Sequence, residues 1–186
     1  RHFAITEYFG FELINVPMNE DGPDMDIVEN LVENDESIKG IWCVPKYSNP
    51  TGITYSDEVV RRFARLRPAA RDFKIMWDNA YCVHDLTDTT DELLNIFDVL
   101  PEKNKNMVVE VASTSKISYP GAGVSCIATS VENVKEIYAV DLSEDLRCTN
   151  GFWSCHYPLC KNELKTSVYG HSRPLIVDLC YEKHND

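Results

Sequence analysis

Short apolar runs that alternate with amphipathic ones constrain this chain most. Residues 40–45, 73–77 and 107–112 are almost continuously apolar and lack the polar alternation of a half-solvated strand. Burial on both faces removes that alternation, as happens for a strand inside a parallel sheet covered by helices. Between the first two runs, residues 57–66 carry Val59, Val60, Phe63 and Leu66 at helical spacing, with Ser56 placed as the cap. Residues 24–34 repeat the arrangement: Asp24 is the cap, and Ile27, Val28, Leu31 and Val32 recur along one side. Residues 11–16 read as a further strand closed by Pro17, and 91–100 as a short helix stopped by Pro101. Residues 124–129 read as a last strand and 131–139 as a last helix. The strand–helix cycle, roughly 30 residues long, predicts an α/β fold with a mostly parallel sheet and flanking helices.

The 186 residues suit one domain, or one domain with a tail. Periodicity fades beyond residue 140, so 1–139 is expected to form the α/β part and 140–186 an irregular tail or small segment. A net charge of −12 disfavours nucleic acid and anionic membrane surfaces, both of which select basic patches. No apolar run approaches the roughly 20 residues of a spanning helix. Arg1 opens the chain without a signal-peptide pattern or an initiator Met, and the start is expected to be an internal cut. Cys43, Cys82 and Cys126 fall in strand-like runs and read as small core residues. Cys148, Cys155, Cys160 and Cys180 crowd the last quarter. An odd total of 7 without a secretory signal points to a reduced, cytosolic setting. His156 and His171 raise the question of zinc, but the tail thiols lack the close pairs of a structural site, so no metal is expected.

Three polar residues stand at or just past the ends of successive strands. Asn49 follows the first run, Asp78 directly follows Trp77, and Lys116 follows Val111-Ala112-Ser113-Thr114-Ser115. In an open α/β sheet, ligands bind outside the carboxyl ends of the strands, so these three groups are expected to converge on one crevice. A lysine amine condenses with aldehydes. Pyridoxal phosphate is the aldehyde that most needs such a setting. Asp78 suits its ring nitrogen, Asn49 and Tyr81 its ring oxygen, and Ser113 and Ser115 its phosphate.

Pro45-Lys46-Tyr47-Ser48-Asn49-Pro50-Thr51-Gly52, Asp78-Asn79-Ala80-Tyr81 and Ser113-Thr114-Ser115-Lys116, in that order and at those separations, resemble the signature series of fold-type I pyridoxal-phosphate aminotransferases. Pro120-Gly121-Ala122-Gly123 after the lysine is similar to the bacterial aspartate-aminotransferase-like subgroup. The resemblance covers about residues 1–139, as part of the large cofactor domain. It implies that Lys116 holds the cofactor covalently and shuttles the substrate's α-proton. It also implies that Asp78 pairs with the ring nitrogen, that Asn49 and Tyr81 contact the ring oxygen, and that Ser113 and Ser115 bind phosphate. The implied activity is amino transfer between an amino acid, aspartate favoured, and a 2-oxo acid, by a homodimer when full length. Two departures stand out. Val124 occupies the position where many members carry a phosphate-binding arginine. The family's glycine-rich phosphate loop, ring-stacking aromatic residue and carboxylate-gripping arginine have no counterpart here, so this chain alone is expected to be a feeble catalyst. A lyase on the same scaffold, or an inactive fragment serving as an interaction module, remain alternatives.

Overall fold

The computed structural model describes residues 2–85, 88–118 and 124–143, and three short strands farther on. In chain order the elements are α1 (His2–Tyr8), β1 (Met18–Asn19), β2 (Gly22–Pro23), α2 (Met25–Asn34), β3 (Gly40–Cys43), α3 (Asp57–Arg65), β4 (Lys74–Asp78) and α4 (Ile96–Val99). A 3₁₀ turn at Glu102–Asn104 then leads to β5 (Val108–Ser113), β6 (Ser125–Thr129) and α5 (Val131–Ser143). The three short strands are β7 (Ser154–His156), β8 (Thr166–Tyr169) and β9 (Ile176–Val177). Cys148, Cys160, Cys180, His171 and the run Pro120-Gly121-Ala122-Gly123 lie outside the described residues.

The central sheet runs β3-β4-β5-β6. β3 pairs parallel with β4 and β4 parallel with β5, whereas β6 returns antiparallel to β5. The sheet is therefore mixed, with two of its three pairings parallel. The 11 residues between β5 and β6 stand at the lower limit of a parallel crossover, which usually carries a helix, whereas the β3–β4 and β4–β5 links of 30 and 29 residues exceed it. Gly40 opens β3 where the Lys74 carbonyl would come within 2.8 Å of any Cβ, a close approach that only glycine permits.

One sheet face carries the core. Cys43, Ile75, Trp77 and Val108 are buried there against Val59, Val60, Phe63 and Ala64 of α3, Val28 and Val32 of α2, and Ile96 of α4. Tyr55 stacks on Phe63 at 6.0 Å, and Trp77 meets both rings edge-on at 5.7 and 5.5 Å. Both expected caps form. Asp24 accepts from the Asp26 and Ile27 amides, and Ser56 accepts from the Val59 amide. Arg62 of α3 reaches Glu29 and Asp26 of α2, tying the two helices together.

Four expectations are corrected. Residues 11–16 form no ladder with any described strand, and Phe11, Leu13 and Ile14 remain exposed. The buried stripe of α2 is Met25, Val28 and Val32; Ile27 turns outward and is 36% exposed. The helix expected over 91–100 is confined to α4, because Asn95 accepts from the Phe97 amide and sets the helix start there. α5 extends past 139 to Ser143.

Candidate functional site

Parallel pairing places the carboxyl ends of β3, β4 and β5 along one edge of the sheet. Each of these ends leads into a loop or turn that carries one of the polar groups singled out above.

Asn49 lies in the loop after β3. That loop is bracketed by its own hydrogen bonds: the Ser48 amide donates to the Ile53 carbonyl at 2.9 Å, and the Tyr55 amide to the Pro45 carbonyl at 2.8 Å. The Ser48 hydroxyl donates to the Val44 carbonyl. Tyr47 adopts a positive φ of 50° inside this loop. Asp78 is the last residue of β4, and its Oδ2 accepts from the Trp42 indole N–H of neighbouring β3 at 3.3 Å. Tyr81 stands in the turn that follows. Lys116 sits within a single helical turn wound on Thr114, whose carbonyl accepts from the Ile117 amide at 3.0 Å and the Ser118 amide and hydroxyl at 2.9 Å each.

The four groups meet around one phenol. The Lys116 ammonium lies over the Tyr81 ring, 3.6 Å from its centroid, within the range of a cation–π contact. Lys116, above all, and a hydrogen bond with the Asn49 side chain hold the Tyr81 hydroxyl below the usual tyrosine range. Partial burial and the nearby Asp78 carboxylate push the other way. An amine, a phenol, a carboxamide and a carboxylate are thus gathered at one sheet end. Together they can accept and donate protons and bind an acidic oxygen.

Ser113 ends β5 opposite Ser125 of β6, and Ser115 is exposed in the lysine turn. Neither side chain hydrogen-bonds Lys116, Tyr81, Asn49 or Asp78. The run between them is fixed by Thr114, whose amide donates to the Val124 carbonyl at 2.8 Å while its hydroxyl accepts from the Val124 amide at 2.9 Å. Position 124, where a cation is expected by resemblance, therefore contributes backbone bonds that brace the lysine turn.

Four residues at this end escaped sequence reasoning. Trp42 supplies the donor to Asp78. Asn79, one residue on, turns to the opposite sheet face and donates to Glu110 Oε1 at 2.9 Å. His84 packs edge-on to Tyr81 with centroids 5.5 Å apart, and neither of its buried ring nitrogens has a partner. Lys46 is 6% exposed and pairs with Asp85 at 2.8 Å. An indole N–H on a strand and a lysine directly after the apolar run 40–45 both call for a partner, and that was the available signal. A cleft of about 620 Å³ opens on the Asn79 side, lined by Glu110, Cys82, Cys126, Lys46 and Asp85. It includes neither Lys116 nor Asp78, so the phenol cluster stands on the open sheet end rather than inside this cleft.

The model of the aspartate amino-transferase family matches residues 1–140. An aspartate aminotransferase of Corynebacterium glutamicum is 54% identical over 136 residues, covering 73% of this chain and 31% of the relative. The crystal structure of an aspartate transaminase from Corynebacterium glutamicum superposes with a TM-score of 0.70 at 48% identity, over 76% of this chain and 34% of that one. A Pyrococcus horikoshii kynurenine aminotransferase, at 21% identity and a TM-score of 0.54, shares the fold. The chain spans about a third of the length of the curated relatives it matches, 31% in the Corynebacterium case.

Proposed function

Because the chain belongs to the aspartate amino-transferase family, we propose that it provides the cofactor-facing part of a pyridoxal-phosphate aminotransferase that uses aspartate as donor and 2-oxoglutarate as acceptor. The observation that carries this reading is the Lys116 ammonium 3.6 Å over the Tyr81 ring, with Asn49 and Asp78 around the same phenol. The donor set fits the cofactor chemically. An amine suits its aldehyde, a phenol and a carboxamide suit its acidic ring oxygen, and a carboxylate suits its basic ring nitrogen. Lys116 would hold it, Asn49 and Tyr81 would bind the ring oxygen, Asp78 would pair with the ring nitrogen, and Ser113 and Ser115 would serve its phosphate. When bound, pyridoxal phosphate supplies an electron sink for the bond broken at the substrate's α-carbon.

The chain's own groups orient and move protons. Asp78, steadied by the Trp42 indole, offers a fixed negative charge at the end of β4. Tyr81, with its hydroxyl held low by Lys116 and Asn49, is ready to share a proton with an acidic oxygen. Lys116, on an exposed turn beside that phenol, has room to carry a proton to and from a substrate carbon at its Nζ. The aspartate reading is supported by the name of the 54% identical Corynebacterium relative. Residues 1–139 would act within a large cofactor domain, residues 140–186 as a separate segment, and the full-length protein as a homodimer. Among the described residues no helix is long and apolar enough to cross a membrane.

Borohydride reduction of the chain with pyridoxal phosphate, followed by peptide mapping, tests the assignment. The label is expected on Lys116 and is lost in Lys116→Ala. Labelling elsewhere that survives Lys116→Ala would sink it.

A further inference from the structure

The groups that meet at Tyr81 ride on two loops, residues 44–54 with Asn49 and residues 79–85 with Tyr81 itself. The β3–β4 ladder stops at Cys43 and Trp77, so backbone pairing does not set one loop against the other. An ion pair between a buried lysine and an exposed aspartate spans that gap. Lys46 is 6% exposed, and its ammonium donates to Asp85 Oδ1 at 2.8 Å and to the Cys82 carbonyl, directly after Tyr81, at 3.3 Å. The Tyr47 hydroxyl donates to the same Asp85 oxygen at 2.8 Å. The positive φ of Tyr47, at 50°, is rare for a bulky residue, and its amide is tied to Thr54 Oγ1 at 3.3 Å. A second strap reinforces the first: the Thr54 hydroxyl donates to Asp91 Oδ2 at 3.1 Å, and the Asp91 amide donates to the Tyr47 hydroxyl at 3.4 Å. A buried ammonium is tolerated only when paired and hydrogen-bonded, so this lysine must find Asp85 and the Cys82 carbonyl each time the chain folds.

We propose that Lys46, Tyr47 and Asp85 form a positioning clamp, which sets the Asn49 loop against the Tyr81 turn and so fixes the spacing of the two groups offered to the cofactor's ring oxygen. The clamp rests on the functional reading above for its purpose and on the geometry alone for its effect. None of its three residues hydrogen-bonds or ion-pairs with Lys116. They act through Asn49 and Tyr81.

The readout is the titration of the Tyr81 hydroxyl in the folded, cofactor-free chain. It is followed by NMR of tyrosine labelled with ¹³C at Cζ and assigned with Tyr81→Phe. The groups facing Tyr81 are Lys116, Asn49, Asp78 and His84, and the clamp variants alter none of them. Lys46→Met and Asp85→Asn are expected to raise the Tyr81 midpoint toward that of Asn49→Ala, and Tyr47→Phe to raise it less. A merely structural clamp would lower thermal stability and leave the Tyr81 titration of the folded variants in place, which would overturn the proposal. Should Lys46→Met fail to fold, Asp85→Asn, which keeps the side chain's shape, and Tyr47→Phe decide the matter by the same reading. Borohydride labelling of the wild-type chain separates the two claims. Label on Lys116 with an unmoved Tyr81 titration rejects the clamp alone. A shifted Tyr81 without label on Lys116 rejects the proposed function and leaves the clamp standing.

Discussion

Glu110 is the residue whose ionisation works most clearly against the fold. Burial pushes its carboxyl up from the ordinary range, and the hydrogen bond from Asn79 offsets that only in part. A carboxyl raised in the native state holds more protons there than in the unfolded chain. Its contribution is therefore fully present below the unfolded value and is lost as pH rises through the folded one. Glu110→Gln keeps an acceptor for Asn79 and removes the titration. It is expected to leave stability near pH 4 almost unchanged and to raise it at pH 7, as urea unfolding at the two pH values would show. Equal effects at both pH values would show that burial of the charge is not the cause. Asn49, Asp78 and Lys116 were legible as residues because short polar motifs after apolar runs mark strand ends. Trp42, Lys46 and Asn79 were not. Their partners lie 36, 39 and 31 positions away, brought close by the sheet for Trp42 and Asn79 and by two facing loops beyond the ladder for Lys46.

At the scale of elements, α3 shows most directly how sequence becomes structure. Its start is set by Ser56, whose hydroxyl caps Val59 and also donates to Asp21 Oδ2 at 2.9 Å. Ser56→Ala is expected to cost about 1 kcal/mol of unfolding free energy, at the usual scale of a lost N-cap. Phe63, fully buried between Tyr55 and Trp77, carries the packing, and Phe63→Ala is expected to cost about 3–5 kcal/mol in the same assay. A loss below about 1 kcal/mol for Phe63→Ala would mean that the aromatic cluster does not hold α3 to the sheet. Caps and period were both present in the sequence for α2 and α3, and both helices form where expected. Residues 11–16 and 91–95 had the composition of elements but lacked partners: a strand needs a neighbour to bond, and Asn95 took the helix start for itself.

For the whole molecule, the apolar surface is uneven. Tyr8, Phe9, Phe11, Leu13 and Ile14 are exposed in one short stretch of chain, at 84%, 71%, 50%, 44% and 56%. An exposed patch of this kind promotes association. The 186-residue chain is expected to bind a hydrophobic dye and to self-associate with concentration in sedimentation, and Phe11→Ser with Ile14→Ser is expected to weaken both. Because these side chains are exposed, the double change should move stability by only about 0.5 kcal/mol per substitution. Undiminished association in the double variant would place the sticky surface elsewhere. The α/β class and the mixed sheet's parallel part followed from the continuously apolar runs, but the two-sided burial expected of them is not what the structure shows: β3 and β4 alternate between a buried face and a half-exposed one, with Trp42 41% exposed. The antiparallel return of β6 was not legible, because the connection before it carries no periodic signal.

The alternation of Asp78 and Asn79 across the end of β4 has a consequence for how this protein tolerates change in length. One residue serves Trp42 and the phenol cluster, and the next serves Glu110 and the cleft behind the sheet. Side chains on a strand alternate with a period of two, so losing a single residue within β4 exchanges the faces of everything on one side of the deletion. A carboxylate would then enter the cleft beside Glu110, and an amide would replace the charge facing Trp42. Deleting Met76 should therefore abolish folding or Lys116 labelling outright, while deleting one residue from the exposed stretch 88–90 should leave the label in place. Insertions and deletions read by growth selection or a folding reporter would trace the same boundary: intolerance across β4, ending where the chain leaves the sheet.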